Sequence, residues 1–418
     1  MSASRTALLS AAAAFTMAAA ATPAHAGSLI VGFDPGEQSE TLPEVVDEVG
    51  ASSNGSAVAG LNARVLDVPG SVASARTALA DVPGVRYVEP NRILRISAPV
   101  TPNDPKLGEL FGLNNLGLRA GFKLDADIDA PEAWGEMGFA QSGWPKRGGA
   151  KVAIIDTGIS PINPDLVGKV IACGRYETKT FFGLPTGGSR FSSDCGDGNG
   201  HGTHVAGTIA ATANNAYGVA GVAPNADLII CRGLTGAGSG TTADIANCIT
   251  WAAAQGADII SMSLGGVGGT AIQDAVRRAW NNGSGALVVA AAGNAGNTTT
   301  SYPAGYAEAV SVGATTAADT LATFSQRNAD VEISAPGQNI VSTWPGTGNA
   351  FKTLSGTSMA TPHVAGVAAL VKAQNPAFRG AELRARLTST VDDLGAVGRD
   401  SSFGFGRVNA ARAVGGTP

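Results

Sequence analysis

Three short segments, far apart in the chain, each carry one side chain of the kind used in serine hydrolysis. They supply a carboxylate at Asp156, an imidazole at His201 and a hydroxyl at Ser358. A hydroxyl is a poor nucleophile at neutral pH unless a base removes its proton, and the base needs a carboxylate to fix its tautomer. The three residue types therefore predict nucleophilic acyl transfer. The segments are VAIIDTG (residues 152–158), GHGTHVAG (200–207) and GTSMATPH (356–363).

Short apolar runs alternate with helical patterns from residue 151 onward. This alternation predicts an α/β fold, with a mostly parallel sheet and helices on both faces. Ligands bind such sheets at the carboxyl ends of the strands. Asp156, Ser263 and Asn294 each follow a predicted strand closely, so we expect them on one rim. The predicted strands are residues 151–155, 227–231, 258–262, 286–291, 309–312 and 331–334, and the predicted helices are residues 203–212, 241–255, 271–281 and 357–374.

The first 26 residues have the pattern of an export signal. Arg5 precedes an alanine-rich run over residues 7–21, and PAHA at residues 23–26 supplies a cleavage site of small residues. The alternative is a retained membrane anchor, for which this run is short and weakly apolar. No later stretch has the roughly 20 apolar residues that a span requires. We therefore expect a secreted protein, with no membrane partner once the signal is removed.

Residues 27–96 are predicted to form a small domain of their own. The order strand, helix, strand, strand, helix, strand would give a ferredoxin-like α+β unit. Its clearest strand patterns lie at residues 28–33, 63–68 and 85–90, and a helix pattern lies at residues 71–80. Residues 97–105, SAPVTPNDP, are rich in proline and lack periodicity, so we interpret them as a linker. Residues 106–418 then form the catalytic domain.

The composition excludes several classes of protein. Hydrophobic residues make up 44% of the chain and charged residues 15%, and there are 57 glycines. These proportions are typical of a compact, loop-rich globular protein. The net charge of −5 provides no basic surface, so we expect no nucleic-acid partner.

The four cysteines, Cys173, Cys195, Cys231 and Cys248, fit an oxidising compartment. Four thiols allow three pairings, and the sequence alone does not choose among them. Proximity along the chain favours Cys173–Cys195 and Cys231–Cys248. The first bond would close the long loop between the first two catalytic segments and stabilise the fold by about 3 kcal/mol. Buried free thiols are the alternative.

The order Asp, His, Ser, with the residues that flank them, resembles the subtilisin family of serine proteases (subtilases). The resemblance covers about residues 101–417 and depends on the three segments above. It implies a secreted serine endopeptidase in which Ser358 is the nucleophile, His201 the general base and Asp156 the carboxylate that orients it. A capping or turn role for the acid or the hydroxyl is the alternative.

The chain has four histidines, and His25 leaves with the signal. In the family pattern the first histidine of HGTH, here His201, is the base. It follows Gly200 at a predicted helix start, from which a side chain can project into a cleft. We interpret His204 and His363 as structural.

The segment AAGN at residues 291–294 matches the oxyanion segment of the family. The resemblance nominates the Asn294 side-chain amide as one donor to the developing oxyanion. The backbone N–H of Ser358, at a helix N-terminus, would be the second. A turn role before Ala295 is the alternative for Asn294.

Two glycine-rich segments, SLGG at residues 263–266 and GAGSG at 236–240, match the substrate walls of the family. An extended peptide would bind between them like an added strand, at a close approach that glycine permits. Alignment on Tyr302-Pro303 puts Ser301 at the floor of the S1 pocket, and this small uncharged floor implies broad specificity with an apolar P1 preference. The substrate-binding residues implied are Ser263, Leu264, Gly265, Gly238, Ser239, Gly240, Ala291, Ala292, Gly293 and Ser301.

Residues 213–219, ANNAYGV, match the calcium loop of the family. The resemblance implies a structural calcium ion held by hard oxygen donors. The ligands implied are the Asp165 carboxylate, the Asn215 side chain and the backbone carbonyls of Ala213, Tyr217 and Val219. One carboxylate is a low charge count for calcium, so a surface loop without an ion is the alternative.

The segment YVEPN at residues 87–91 resembles the end of the inhibitory propeptide of subtilases. It implies that residues 27–96 act as an intramolecular inhibitor until a cut between about Arg95 and Thr101. We expect a monomeric enzyme made as a self-processing zymogen, whose other partners are protein and peptide substrates.

Other classes of function explain the sequence less well. Aspartic proteases need two Asp-Thr-Gly carboxylates, and the chain has one, at Asp156. A lipase elbow needs Gly-x-Ser-x-Gly, but Met359-Ala360 follows Ser358. A catalytically inert homologue that acts as a binding or scaffold protein would be expected to have lost one of its catalytic residues. A peptide-ligating relative would use the same acyl-enzyme.

Overall fold

The structure is a computed structural model. It describes residues 27–51, 55–69, 72–79, 81–91, 99–139, 143–181, 184–281, 285–346 and 350–415. The expected export signal and most of the expected maturation region lie outside these residues. The chain forms two compact units, with the boundary between residues 96 and 97.

The first unit is a four-stranded antiparallel sheet with two helices. Its sheet order, β2-β3-β1-β4, is that of a ferredoxin-like unit and confirms the expected α+β class. Leu29, Val31 and Phe33 alternate along β1 and are fully or almost fully buried, as the two-residue period of a half-buried strand requires. The elements are β1 (Gly27–Phe33), α1 (Gln38–Glu48), β2 (Ser56–Ala57), β3 (Ala63–Val68), α2 (Val72–Leu79) and β4 (Val85–Pro90).

The second unit contains an eight-stranded sheet of order β12-β11-β10-β9-β5-β8-β6-β7. Its strand pairs are parallel except β6 with β7, so the predicted α/β architecture is confirmed. Strands β9 to β12 are buried at every residue, because helices cover both faces of a parallel sheet. The strands are β5 (Lys151–Asp156), β6 (Val170–Phe181), β7 (Leu184–Ser192), β8 (Asp227–Arg232), β9 (Ile259–Met262), β10 (Leu287–Ala291), β11 (Ala309–Thr315) and β12 (Val331–Pro336).

Helices and one further hairpin complete this unit. The long helix α7 coincides with its predicted range, whereas α4 begins at His201, two residues before the predicted start. The helices are α3 (Ala130–Glu136), α4 (His201–Ala210), α5 (Thr242–Ala254), α6 (Thr270–Asn281), α7 (Thr357–Gln374), α8 (Gly380–Ser389) and α9 (Ala410–Gly415). A 3₁₀ turn lies at Leu107–Glu109, and β13 (Ile340–Thr343) pairs with β14 (Phe351–Leu354).

The segment between the first two catalytic motifs was expected to be a long loop, and this expectation is wrong. Most of it forms the antiparallel hairpin β6–β7 at one end of the large sheet, where β6 also pairs in parallel with β8. The hairpin escaped prediction because an end hairpin leaves many side chains in solvent. It therefore lacks a continuous apolar pattern.

Both disulfides have the pairing that chain proximity favoured. Cys173 in β6 is bonded to Cys195, and Cys231 in β8 is bonded to Cys248 in α5. The described cysteines include no free thiol.

Part of the expected linker is built into the second unit. Val100 N donates to the Pro131 carbonyl oxygen at 2.9 Å, and the Asp104 carboxylate accepts from Asn214 N at 2.6 Å. The described part of residues 97–105 is therefore not a free connector. Within the described ranges, no helix has both the length and the apolar character needed to cross a membrane.

Candidate active site

Asp156 and His201 form a hydrogen-bonded pair between a strand and a helix. Asp156 ends β5 and is 1% exposed, and His201 is the first residue of α4. His201 Nδ1 lies 2.8 Å from Asp156 Oδ1 and 2.9 Å from Oδ2. The first turn of α4 approaches the strand this closely because position 202 is glycine. A Cβ there would lie 2.2 Å from the Gly158 carbonyl oxygen.

The surroundings of His201 favour its protonated form. Burial of the ring lowers its pKa, but the charge and hydrogen bond of Asp156, together with the charge of Asp197, outweigh burial and raise the pKa above 6.5. The Nε2 side of the ring faces the cleft, since Nδ1 is used by Asp156. This is the arrangement expected of a general base that must accept a proton and carry a transient positive charge.

Asp197 is a second carboxylate at this helix start, and the sequence reasoning missed it. It accepts hydrogen bonds from Gly200 N at 2.8 Å, from Thr203 Oγ1 at 2.6 Å and from Thr157 Oγ1 at 2.9 Å. Burial raises the pKa of Asp197, but these and other donors outweigh burial, so its pKa is lowered and it is ionised. Asp197 also accepts from Asn199 N at 2.9 Å, and an aspartate in such a glycine-rich turn is an Asx-turn signal that could have been noticed.

Ser358 lies in the first turn of α7, beside the end of β9. Its Oγ donates to the Ser263 carbonyl oxygen at 3.1 Å, and Ser263 Oγ donates to the Ser358 carbonyl oxygen at 2.8 Å. Among the described residues, no hydrogen bond joins Ser358 Oγ to His201. Such bonds are often long or misaligned without substrate, and rotation about the Ser358 Cα–Cβ bond redirects the hydroxyl.

Asn294 is held through its amide oxygen, and its NH₂ group has no hydrogen bond to the described residues. Its Oδ1 accepts from Thr357 N at 2.8 Å and from Thr357 Oγ1 at 2.9 Å, and the residue is exposed. The oxygen is therefore occupied, and Nδ2 is the atom available to a ligand. Ser358 N lies in the first turn of α7, so no helix carbonyl oxygen four residues earlier can accept its hydrogen bond. It is therefore a second donor, close to Asn294. Thr357, which fixes the amide, was not singled out from the sequence.

A cleft of about 520 Å³ extends from His201 between the two glycine-rich segments. Six of the predicted wall residues line it: Gly238, Ser239, Gly240, Ser263, Leu264 and Gly265. Leu234, Ile245, Ile272 and Tyr302 also line it, and none of them was predicted from the sequence as a lining residue. These side chains come from four separate segments of the chain, so no local sequence pattern predicts that they meet.

The remaining predicted substrate residues do not line this cleft. Ala291 and Ala292 are 3% and 2% exposed. Ser301 lies between the two glycine walls, because a Cβ at Gly265 would lie 2.3 Å from Ser301 Oγ and one at Gly293 would lie 3.3 Å from Ser301 Cβ. The role of Ser301 as a pocket floor stays a prediction.

The other two histidines of this unit are structural. His204 Nε2 lies 3.1 Å from the Ile340 carbonyl oxygen and 3.0 Å from that of Lys352, and His363 Nδ1 lies 2.9 Å from the Met359 carbonyl oxygen. Burial lowers the pKa of each ring to about 4. Both rings are therefore neutral at working pH, and both lie in helix interiors.

The predicted calcium loop surrounds a buried carboxylate. Asp165 is fully buried, and it accepts from Asn215 Nδ2 at 2.9 Å and from Val219 N at 2.9 Å. Tyr217 N donates to Asn215 Oδ1 at 2.9 Å. Ala213 is buried in the same loop. Burial, to which the charge of Asp104 adds, raises the pKa of Asp165 to about 6.

Asp104 supplies the second carboxylate that the sequence reasoning lacked. It is 4% exposed, its Oδ2 accepts from Asn214 N, and its Oδ1 is buried without a hydrogen-bond partner among the described residues. Two buried carboxylates that bind a loop with further oxygen ligands, one of them with an unpaired oxygen, fit a hard cation such as calcium. Asp104 lies 61 residues before Asp165, in the segment interpreted as a linker.

Comparisons with known proteins agree with this geometry. A sequence profile described as the subtilase family matches residues 147–406, and one described as the fervidolysin N-terminal prodomain matches residues 12–91. The chain is 44% identical over 315 residues to thermitase from Thermoactinomyces vulgaris, spanning 75% of this chain and 99% of thermitase. It is 39% identical over 393 residues to a thermophilic serine proteinase from Bacillus sp. (strain AK1), spanning 93% and 87%.

Solved structures are similar as well. A protease from Pseudoalteromonas arctica superposes with a TM-score of 0.62 at 30% identity, covering 75% of this chain and 98% of that one. Sphericase superposes with a TM-score of 0.55 at 37% identity, covering 63% of this chain and 93% of its own.

Proposed function

The chain belongs to the subtilase family and is a serine endopeptidase with an N-terminal prodomain, and we propose that Asp156, His201 and Ser358 carry out its hydrolysis. The observation that supports this assignment is the buried Asp156–His201 pair, which opens onto a peptide-sized cleft next to the helix start that bears Ser358.

In the proposed reaction, Ser358 Oγ attacks the carbonyl carbon of the scissile peptide bond while His201 Nε2 takes the hydroxyl proton. Asp156 holds the imidazolium through Nδ1–H. The Asn294 amide and the Ser358 backbone N–H stabilise the oxyanion, and His201 then donates its proton to the leaving amine. Water, activated by His201, hydrolyses the acyl-enzyme and regenerates the serine.

The expected specificity is broad, with a preference for apolar side chains at P1. The position of Ser301 between Gly265 and Gly293 supports a small, uncharged pocket floor. A peptide library should therefore give a P1 profile of large apolar residues. A profile dominated by lysine or arginine would contradict this specificity.

A structural calcium ion is proposed at the loop of residues 213–219. Asp165, Asn215 and the carbonyls of Ala213, Tyr217 and Val219 would hold it, and the buried Asp104 carboxylate would complete the charge. Calcium would supply counter-charge to two buried carboxylates and take no part in the chemistry.

The remaining expectations concern processing. We propose that residues 1–26 are an export signal, that residues 27–96 inhibit the enzyme until a cut between about Arg95 and Thr101, and that the mature secreted enzyme is a monomer. The two disulfides support an extracellular location.

A fluorophosphonate probe tests the central proposal. Such probes react with activated serines, so incubation with the full chain followed by peptide mapping should locate the label on Ser358. A label on another serine, or no label from protein that cleaves casein, would refute the assignment. Protein that neither labels nor cleaves would favour the inert homologue.

A further inference from the structure

Asp244 is a buried carboxylate that joins two parts of the fold. It is the third residue of α5 and is 3% exposed. Its Oδ2 accepts from Thr241 Oγ1 at 2.7 Å, and with the Thr241 side chain it forms the capping box of α5. A capping box needs no other partner.

Three more hydrogen bonds to Asp244 come from the β6–β7 hairpin. Thr178 Oγ1 and Ser189 Oγ donate to Oδ1 at 2.9 and 2.5 Å, and Thr178 N donates to Oδ2 at 3.1 Å. Thr178 and Ser189 are opposite each other in the hairpin register. One carboxylate therefore holds both strands of the hairpin.

The start of α5, which bears Asp244, also borders the substrate cleft. Thr241, Thr242 and Ile245, which surround Asp244 in sequence, line the cleft together with the preceding residues 238–240. We call residues 238–242 the wall segment. The turn that leads into it is closed on itself, because Thr235 N donates to the Ser239 carbonyl oxygen and Gly238 N to that of Thr235.

One disulfide bond closes the hairpin, and the other closes the segment that contains the wall. The Cys173–Cys195 bond spans the hairpin, and the Cys231–Cys248 bond spans the wall segment with the start of α5. Asp244 joins the two closed segments, and Thr178 Oγ1 also lies 3.2 Å from Thr241 Oγ1 of the wall segment. Burial raises the pKa of Asp244, but its hydroxyl and amide donors outweigh burial and lower the pKa, so the carboxylate is ionised when it accepts these bonds.

We propose that Asp244 is a positioning residue, which braces the wall segment against the β6–β7 hairpin and so sets the affinity for substrates long enough to reach that wall. The inference rests on the proposed endopeptidase function. Asp244 is not among the residues that line the cleft and its carboxylate contacts the hairpin, so it acts through the wall and not on the scissile bond.

Two substrates that share phenylalanine at P1 distinguish an effect on the wall segment from an effect on the scissile bond. A tetrapeptide p-nitroanilide reaches the wall segment, whereas an N-acetylphenylalanine ester occupies only the P1 pocket. Asp244→Asn should raise KM for the tetrapeptide by about tenfold, with kcat close to the parent value, because a displaced wall weakens binding. The ester kinetics should stay within about twofold.

Milder variants and a control complete the experiment. Ser189→Ala and Thr178→Val each remove one hydroxyl donor of the hairpin, and each should raise the KM for the tetrapeptide. These two variants test the positioning role if Asp244→Asn fails to fold. Asp274→Asn removes an exposed carboxylate on α6 and should leave both substrates unaffected.

The outcomes distinguish this inference from the proposed function. Equal loss on both substrates, or no change on the tetrapeptide in any folded variant, would overturn the positioning role while the protease assignment stands. A parent protein that hydrolyses neither substrate would overturn the proposed function itself.

Discussion

Thr357 N donates a hydrogen bond to Asn294 Oδ1 at 2.8 Å, and because a backbone N–H can only donate, this bond identifies Oδ1 as the engaged end of the Asn294 amide. The oxygen is engaged by the residue directly before the proposed nucleophile. The NH₂ group is consequently held as a donor at the site where a tetrahedral oxyanion would form. A preorganised donor of this kind costs no reorientation during the reaction.

Asn294→Ala should lower kcat by about 10²- to 10³-fold, because the variant removes a donor that stabilises the oxyanion by about 3 kcal/mol. KM and the thermal midpoint should change little, since the side chain is exposed and makes its bonds to one neighbour. Steady-state kinetics on a peptide anilide checks this. A kcat within threefold of the parent would exclude Asn294 from the oxyanion site.

Ser358→Ala should abolish self-processing as well as proteolysis, because removal of the hydroxyl removes the nucleophile. The purified variant should run as the unprocessed precursor on a gel. Ser355→Ala, a change at an exposed hydroxyl three residues earlier, is the matched control and should mature like the parent. Processing of Ser358→Ala at the parental rate would show that another group cuts the chain.

Asp197→Asn should move the acidic limb of the pH profile of kcat/KM to lower pH. Activity is lost as the pH falls through the pKa of His201, because the protonated ring cannot act as a base. The negative charge of Asp197 contributes to raising that pKa, so its removal lowers the pKa and extends activity downward. Asp194→Asn, at an exposed carboxylate, serves as control. An acidic limb that stays in place would mean that Asp197 has no electrostatic effect on the base.

Chelation of calcium should lower the thermal midpoint of the Ser358→Ala protein, in which self-digestion cannot interfere. At 100 times its dissociation constant, an ion that binds only the folded state adds about 2.7 kcal/mol to the free energy of unfolding. Asp104→Asn and Asp165→Asn should each reduce the calcium-dependent shift measured by calorimetry. A midpoint that calcium leaves unchanged in the Ser358→Ala protein would argue for a loop without an ion.

Gly265→Val should narrow the P1 pocket. A Cβ at this position lies 2.3 Å from Ser301 Oγ, so the added side chain occupies space between the wall and the pocket floor. The value of kcat/KM for phenylalanine at P1 should fall by about tenfold relative to that for alanine at P1. Two anilides that differ only at P1 measure this ratio. An unchanged ratio would place the P1 side chain elsewhere.

Local signals in the sequence determined much of this protein. The apolar run that ends at Asp156, the helix start at His201 and the strand that leads to Ser263 each depend on neighbours in the chain, so their places at the sheet rim followed from pattern. The alternation of strands and helices predicted the parallel sheet. Short separations between cysteines favoured the disulfide pairing, and the structure decided it.

The tertiary structure decided what depends on residues remote in sequence. The charge of Asp104 acts on Asp165 although 61 positions separate the two residues, and Asp244 accepts a hydrogen bond from Thr178 across 66 positions. The hairpin β6–β7 lies at the end of the sheet, where many of its side chains face solvent. Its sequence therefore lacks the apolar pattern that would have predicted two strands. Hydrogen bonds of this kind form because folding brings distant donors and carboxylates together. A pattern of neighbouring residues does not show which distant residues will meet.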